Sequence, residues 1–474
     1  MSRPQEKFSR LLGKVRSKVK SRKAKLLLLF TFQTLLMLYG WFGLSNPQSP
    51  PAPVAAHEQV QAIEARTMQE LQELVAWRHP INRLQCGRWV SEYAALHKSI
   101  KAGKAPQRYT VMRSKPEFGN GLADRLASSV SILLFAILTD RAFLYDWDPP
   151  PLPPGTPIHE GCGGPQQKHR PSAPLWAALR SDFIDWSYED EGDLEPGNST
   201  LLMDYVCDKG VDEYRAMFAS QNLTAIGEGF HSVVWYTDHA GVYSAFNNPF
   251  LRPALAALGL QQDTAFACLF DFLYRPVPEV VSMFKPELQV LLDPSIFKIG
   301  LQIRVGDWQL VSASNYFFKP QNFPSLFHHY FQCAEEIEDT LAQPGQPVVW
   351  FLLTDVLDLR QRLKDRYGSR ILTNTAVVVE HTVKSDVRSD NPFLQAVGEL
   401  WLFSLTDHHI LTRTSGFGKV GAMLSAAGPS HIYQVFQPMN FFNLVALVMW
   451  WHSRKCTPEF ADPLLEVCTD FTGI

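Results

Sequence analysis

Positive charge is scarce in this chain once its first 25 residues are passed. Those 25 carry ten Lys or Arg and a single acid, Glu6, whereas the rest carries 34 basic and 46 acidic side chains. Phosphate backbones demand a basic surface, so no nucleic-acid partner is expected for the body. Internal repeats are lacking too, which excludes a solenoid or propeller. Disorder is excluded by composition, since 46% of the residues are hydrophobic and only 19% charged. With 474 residues, the chain has length for a two-domain body, an anchor and a linker.

Leu26 to Leu44 forms a 19-residue run without charge, rich in Leu and Phe. As a helix it would reach about 28 Å, close to the thickness of a bilayer's hydrocarbon core. Tyr39 and Trp41 suit an interfacial belt, and the basic lead should stay cytosolic. A cleavable signal peptide is the competing reading. The long basic lead, and a run longer than a typical signal core, favour a transmembrane signal anchor. The body would then be lumenal, in a single-pass type II arrangement.

Two sequons, at Asn198 and Asn222, fit a lumenal body. Cysteine is sparse, and the count of seven is odd, so at least one thiol is free or paired between chains. An oxidising compartment would let disulfides persist, with Cys456 and Cys468 as the first expected pair.

The expected organisation is a cytosolic tail over 1–25, the anchor over 26–44, a stem over 45–78, and two halves over 79–290 and 291–474. The stem opens with prolines between Ser45 and Pro53. Helical spacing of Val60, Ile63, Met68, Leu71 and Leu74 follows, read either as a self-association surface that would make a homodimer or as a helix packed on the body. Helices are expected over Trp89 to Ile100, Leu122 to Leu138, Pro324 to Leu341 and Asn391 to Leu405. Strands are expected over Tyr109 to Met112, Ala142 to Trp147, Ser232 to Tyr236, Phe297 to Ile303, Val348 to Leu353, His409 to Leu411 and Ile432 to Val435. Alternation of this kind predicts parallel α/β sheets, and the length predicts two. Pro149 to Pro174 reads as a surface loop. Its His159, Cys162 and His169 match no common metal spacing, so no metal is expected there.

Chemistry concentrates at two strand ends. Ile299 to Asp307 is an apolar strand ending in Arg304, Gly306 and Asp307. In an open α/β sheet the carboxyl ends of strands face the ligand crevice. An Arg there can grip two phosphate oxygens, and Asp307 can fix that Arg or a ribose; a plain salt bridge is the alternative. The second segment runs from strand His409 to Leu411 into Thr414-Ser415-Gly416-Phe417-Gly418, then a helix of small residues from Val420 to Ala427. A Ser/Gly turn entering a helix is a phosphate cradle, with Ser415 as cap, as ligand, or as both.

Spread over residues 85 to 435, several runs resemble the plant-type xyloglucan fucosyltransferase family in consistent order. Gly121-Leu122-Ala123-Asp124-Arg125 with Leu138-Thr139-Asp140-Arg141 is similar to its Gly-Leu-Gly-Asn-Arg and Leu-Thr-Asp-Arg helix. Gly300 to Val305 is similar to its Gly-Leu-Gln-Ile-Arg-Val strand. Leu402 to Asp407, with Ser415, Phe417, Gly418 and Val420, is similar to its Leu-Ser-Leu-Thr-Asp and Ser-Thr-Phe-Gly-Tyr-Val motif. Thr237-Asp238 resembles the Thr-Asp pair before its acceptor loop. The departures are Ala123 and Asp124 for Gly and Asn, Gly416 for Thr, and Lys419 for an aromatic.

The resemblance implies a GT-B-like fold, two Rossmann-type halves with a cleft between them, in the Golgi membrane. It implies inverting transfer of fucose from GDP-fucose to an oligosaccharide or polysaccharide acceptor, without a cofactor or metal. Arg304 would bind the diphosphate. Ser415, Phe417 and Gly418 would line the nucleotide pocket with Asp307, and Arg125 would offset Asp124. Asp238 would take a proton or orient the acceptor. A different GDP-sugar, or an inactive glycan-binding relative, are the alternatives that the departures raise.

Overall fold

A computed structural model describes residues 66–84, 86–114, 121–147, 174–188, 199–205, 208–304, 327–376, 390–413, 415–435 and 456. The anchor, the tail, most of the stem, the loop with His159, Cys162 and His169, and Asp307 and Asn198 all lie outside those residues. Among the described residues, no helix is long and apolar enough to cross a membrane.

The first helix, α1 (Met68–Arg78), starts at Thr67 because a capping box closes there. The Glu70 amide donates to Thr67 Oγ1 at 3.2 Å, and the Thr67 amide donates to the Glu70 carboxylate at 2.7 Å. Leu71 and Val75 are buried against Leu288 and Leu291. Of the two readings of this segment, its described part packs on the body.

Helix α2 (Trp89–Lys101) leads to β1 (Tyr109–Arg113), α3 (Leu122–Leu138) and β2 (Ala142–Asp146), the expected strand, helix and strand. Every residue of α3 except Leu138 is buried, and its charged residues, Asp124 and Arg125, are confined to its first turn. Its Ser128 and Ser129 hydroxyls donate to carbonyls one turn back, so they add no unmet polar group to the core. A short ribbon pairs β3 (Leu179–Arg180) with β6 (Arg275–Pro276). With β4 (Thr200–Tyr205) and β5 (Ser232–Thr237) the first sheet is complete, wholly parallel in the order β2-β1-β5-β4. Strand β4 was not anticipated; it lies at the sheet edge, only partly buried, and its Thr-Leu-Leu-Met-Asp-Tyr has no clear alternation.

Helices α4 (Gln262–Leu273) and α5 (Lys285–Leu291) lead to the second sheet. It holds β7 (Phe297–Ile303), β8 (Val348–Thr354), β9 (Ile371–Leu372), β10 (His408–Thr412) and β11 (Ile432–Val435), parallel in the order β11-β10-β7-β8-β9. Its helices are α6 (His328–Leu341), α7 (Leu357–Tyr367), α8 (Asp390–Phe403) and α9 (Gly416–Leu424). Central β7 needs a glycine at 300, since a Cβ there would stand 2.6 Å from Phe403 and from Thr406 Oγ1. Phe393, Val397 and Leu400 of α8 and Val420 and Leu424 of α9 share one core with Leu126 of α3 and Phe266 and Phe270 of α4. That helical layer joins the two sheets.

The expected Cys456–Cys468 pair is overturned. Cys456 is bonded to Cys333 of α6 across 123 positions, and Cys86 to Cys268 across 182. Closeness in sequence misled; the chain returns to lay Cys456 over α6, at a Cα separation of 5.0 Å.

Candidate functional site

At the carboxyl ends of β7 and β10 the polar groups form a chain of hydrogen bonds. The Arg304 amide donates to Thr412 Oγ1 at 2.9 Å, and Tyr330 of α6 shares that hydroxyl at 2.7 Å. Burial, above all, keeps the Tyr330 phenol well above its usual pKa, so its proton is retained. Gln302 accepts from the Thr412 amide at 3.2 Å and donates to Ser415 Oγ at 3.0 Å. Ser415 in turn caps α9, accepting from the Gly418 amide at 3.4 Å. Glycine is required at 418, where a Cβ would meet Gln302 Oε1 at 2.5 Å. Arg304 reaches sideways, its Nε 3.5 Å from a carboxylate oxygen of Asp355, which follows β8 and is only 5% exposed.

Arg304, Ser415 and Gly418 are thus brought together at one strand edge, with Phe417 half-buried on the first turn of α9. Such an edge offers a guanidinium fork and the free amides of a helix N-terminus, a combination suited to an anionic phosphate. Lys419 is buried on the same helix. Asp355, Gln302, Thr412 and Tyr330 were missed by sequence reasoning. Asp355 did carry a signal, because Thr354-Asp355 ends β8 as Thr237-Asp238 ends β5.

The first sheet presents its own carboxyl edge. Asp238 follows β5, with its side chain 15% exposed and one oxygen 3.3 Å from His239 Nε2. Thr237 Oγ1 accepts from the His239 amide at 3.1 Å, which turns the chain there. At the ends of β1 and β2, Arg113 pairs with Asp146 at 2.8 Å and donates to the Tyr188 hydroxyl at 3.0 Å. Burial pushes the Arg113 guanidinium down, but Tyr236, Asp146 and Tyr188 together outweigh it and hold the pKa above its ordinary value. Asp146-Trp147-Asp148 is an Asp-x-Asp at a strand end that the sequence reading passed over; its first carboxylate is engaged by Arg113. Among the described residues no cluster of three metal-ligating side chains occurs.

Arg125 is buried on α3, its guanidinium 4.5 Å above the Trp147 ring. Asp124 turns its carboxylate back to accept from the Gly121 amide at 3.1 Å. The replacement of an amide by a carboxylate at this position is absorbed in part by helix capping. Trp235 is core, fully buried against Phe135. Asn222 is exposed and caps a short turn, accepting from the Thr224 amide at 3.2 Å.

No family model matches the chain. Among curated proteins it is 24% identical over 356 residues to "Probable fucosyltransferase 5" of Arabidopsis thaliana, covering 68% of this chain and 62% of that one. It is 25% identical over 352 residues to "Galactoside 2-alpha-L-fucosyltransferase" of the same organism, covering 66% and 58%. This chain is similar to plant fucosyltransferases. It spans about three-fifths of the length of those relatives. Among solved structures, an arginine-to-lysine mutant of Arabidopsis thaliana FUT1 in complex with GDP superposes with a TM-score of 0.50 at 18% identity, covering 74% of this chain and 79% of that one. The parallel α/β fold is therefore shared with a fucosyltransferase structure.

Proposed function

We propose that this chain is a glycosyltransferase that moves fucose from GDP-fucose to a hydroxyl of a galactose-containing glycan. The observation that carries the reading is the fork of Arg304, braced by Asp355, beside the Ser415-capped start of α9. The helix end adds roughly half a positive charge to that of the guanidinium. The names of the relatives and the GDP in the FUT1 complex supply the substrate class.

In this reading the two parallel sheets are the Rossmann-type halves of a GT-B-like enzyme, with donor on the second half and acceptor on the first. The acceptor hydroxyl attacks the anomeric carbon from the face opposite GDP. The bond to the diphosphate oxygen breaks, and Arg304 with the α9 amides stabilises the charge left on GDP. Asp238 takes the hydroxyl proton or orients the acceptor, with His239 Nε2 3.3 Å from its carboxylate. Arg304 and the helix end supply positive charge without a metal. Type II anchorage in the Golgi membrane is supported by the run over 26–44, its basic lead and the two disulfides.

The test is turnover by the full-length, detergent-solubilised protein, with GDP-fucose and other GDP-sugars offered against galactosylated oligosaccharides, with and without EDTA. Transfer of fucose that survives EDTA supports the reading. Transfer from another GDP-sugar alone changes the donor, and GDP binding without transfer to any acceptor replaces the reading with an inactive glycan-binding relative.

A further inference from the structure

Between β4 and β5 the helix Asp208–Ser220 runs into a single tight turn, Leu223–Ala225. Leu223 is fully buried and pins this turn, whereas Asn222 and Thr224 on either side of it are exposed. Asn222 Oδ1 accepts twice, from the Thr224 amide at 3.2 Å and from the Thr224 hydroxyl at 2.7 Å. Both contacts fall on the oxygen, and among the described residues no group accepts from Asn222 Nδ2. Asn-Leu-Thr is the acceptor pattern for N-linked glycosylation, and the folded turn holds its Asn and Thr side chains together.

A second observation lies one side chain away. Asn248 is fully buried, and its amide bridges two surface turns. Its Nδ2 donates to the Gln221 carbonyl at 2.7 Å and to the Phe218 carbonyl at 2.9 Å, and its Oδ1 accepts from the Phe250 amide at 2.9 Å. Summed along that bridge, the backbone amides of Asn222 and Phe250 stand within about 10 Å of each other. Phe250 is 59% exposed, and Pro249 and Pro253 beside it are exposed too. This apolar ridge therefore faces water next to the one side chain of the turn whose nitrogen is unengaged. Hydrating an aromatic ring is unfavourable, and the apolar face of a sugar is a fitting cover for it.

We propose that Asn222 carries an N-linked glycan and that the first sugars of this glycan lie on Phe250. The inference rests on the lumenal placement of the body in the reading above. In the modification Asn222 Nδ2 loses a proton and bonds to the anomeric carbon of a lipid-linked oligosaccharide diphosphate. The carbon–oxygen bond at that carbon breaks, and the lipid diphosphate leaves. Asn222 Oδ1 keeps both bonds to Thr224, so the turn survives the reaction. Arg141 holds the Gly227 and Phe230 carbonyls together with that of Tyr109, which places the segment after the turn at the amino edge of the first sheet. Strand β5 then runs its whole length before Asp238, at the other edge.

The experiment uses the full-length protein made in a secretory eukaryotic host, in an Asn198→Gln background so that a single sequon is read. In intact microsomes the body should resist added protease, and peptide-N-glycosidase should remove one glycan and leave aspartate in place of Asn222 in the peptide mass. Thr224→Ala should abolish the modification and Thr224→Ser should retain it. On the purified folded protein, the same deglycosylation should lower the melting temperature by about 1–2 °C, and by less than half as much in Phe250→Ser. Phe250→Gln repeats the comparison. A protected body with Asn222 unmodified overturns the glycan alone, and a body digested from outside overturns the lumenal reading with it. No fall on deglycosylation, or an equal fall in both Phe250 variants, overturns the contact with Phe250.

Discussion

Replacing Asp355 by Asn would keep the side chain's shape and remove the charge that braces Arg304. At 3.5 Å, and an effective dielectric of about 20, two unit charges attract by roughly 5 kcal/mol before desolvation. Arg304 is 31% exposed and Asp355 only 5%, so lost hydration and screening should leave about 1–2 kcal/mol of net positioning. If the fork acts on the leaving diphosphate, Asp355→Asn should lower kcat/KM by about 5- to 30-fold. Arg304→Ala, which removes the fork, should lose about 10²- to 10³-fold. The assay is a double-mutant cycle on fucose transfer from GDP-fucose, with GDP affinity measured alongside. Asp355 acting through Arg304 predicts that Asp355→Asn costs almost nothing more once Arg304 is Ala. An undiminished cost in that background, or full activity of Arg304→Ala, would refute the reasoning.

Ser415→Ala removes the cap of α9 and a partner of Gln302, so a loss of about 2 kcal/mol is expected in urea unfolding, together with weaker GDP binding in calorimetry. Burial first of all lowers the pKa of His97 and His408 to about 4 and of His409 to about 3. The unfolded chain then binds more protons than the folded one below about pH 6.5. Stability should be complete above that pH and fall steadily towards pH 4, by a few kcal/mol, and His97→Gln should flatten the slope measured by urea unfolding. Opening Cys86–Cys268 by paired Ser substitutions frees a loop of 182 positions. The chain-entropy model puts that cost at about 5 kcal/mol, to be checked by thermal unfolding against Cys333–Cys456 broken in the same way.

Periodicity served well where an element met one kind of surroundings. Helix α3 is buried on all sides, and β7 is buried almost end to end, so both read as continuous apolar segments with the observed limits. It served poorly for β4, whose edge position leaves one flank unpaired and whose residues are all only partly buried or exposed. The site divides in the same way. Arg304 and Ser415 stand out because an Arg at a strand end and a Ser before small residues are local patterns. Asp355 stands out only when β8 is known to lie beside β7, and Gln302 only when β10 is on the other side.

By itself, then, the amino-acid sequence determined the alternation of strands and helices, the acidic body behind a basic lead, and the local chemistry of each strand end. Those features arise from neighbours a few residues apart, through side-chain period, capping and charge. Tertiary structure alone decided that Asp355 braces Arg304 and that Asp124 caps its own helix while Arg125 stacks on Trp147. It also decided that Cys456 finds Cys333 and not Cys468. Each depends on which surfaces meet when the apolar faces of two sheets are buried under a shared helical layer, and distance along the chain does not encode that meeting.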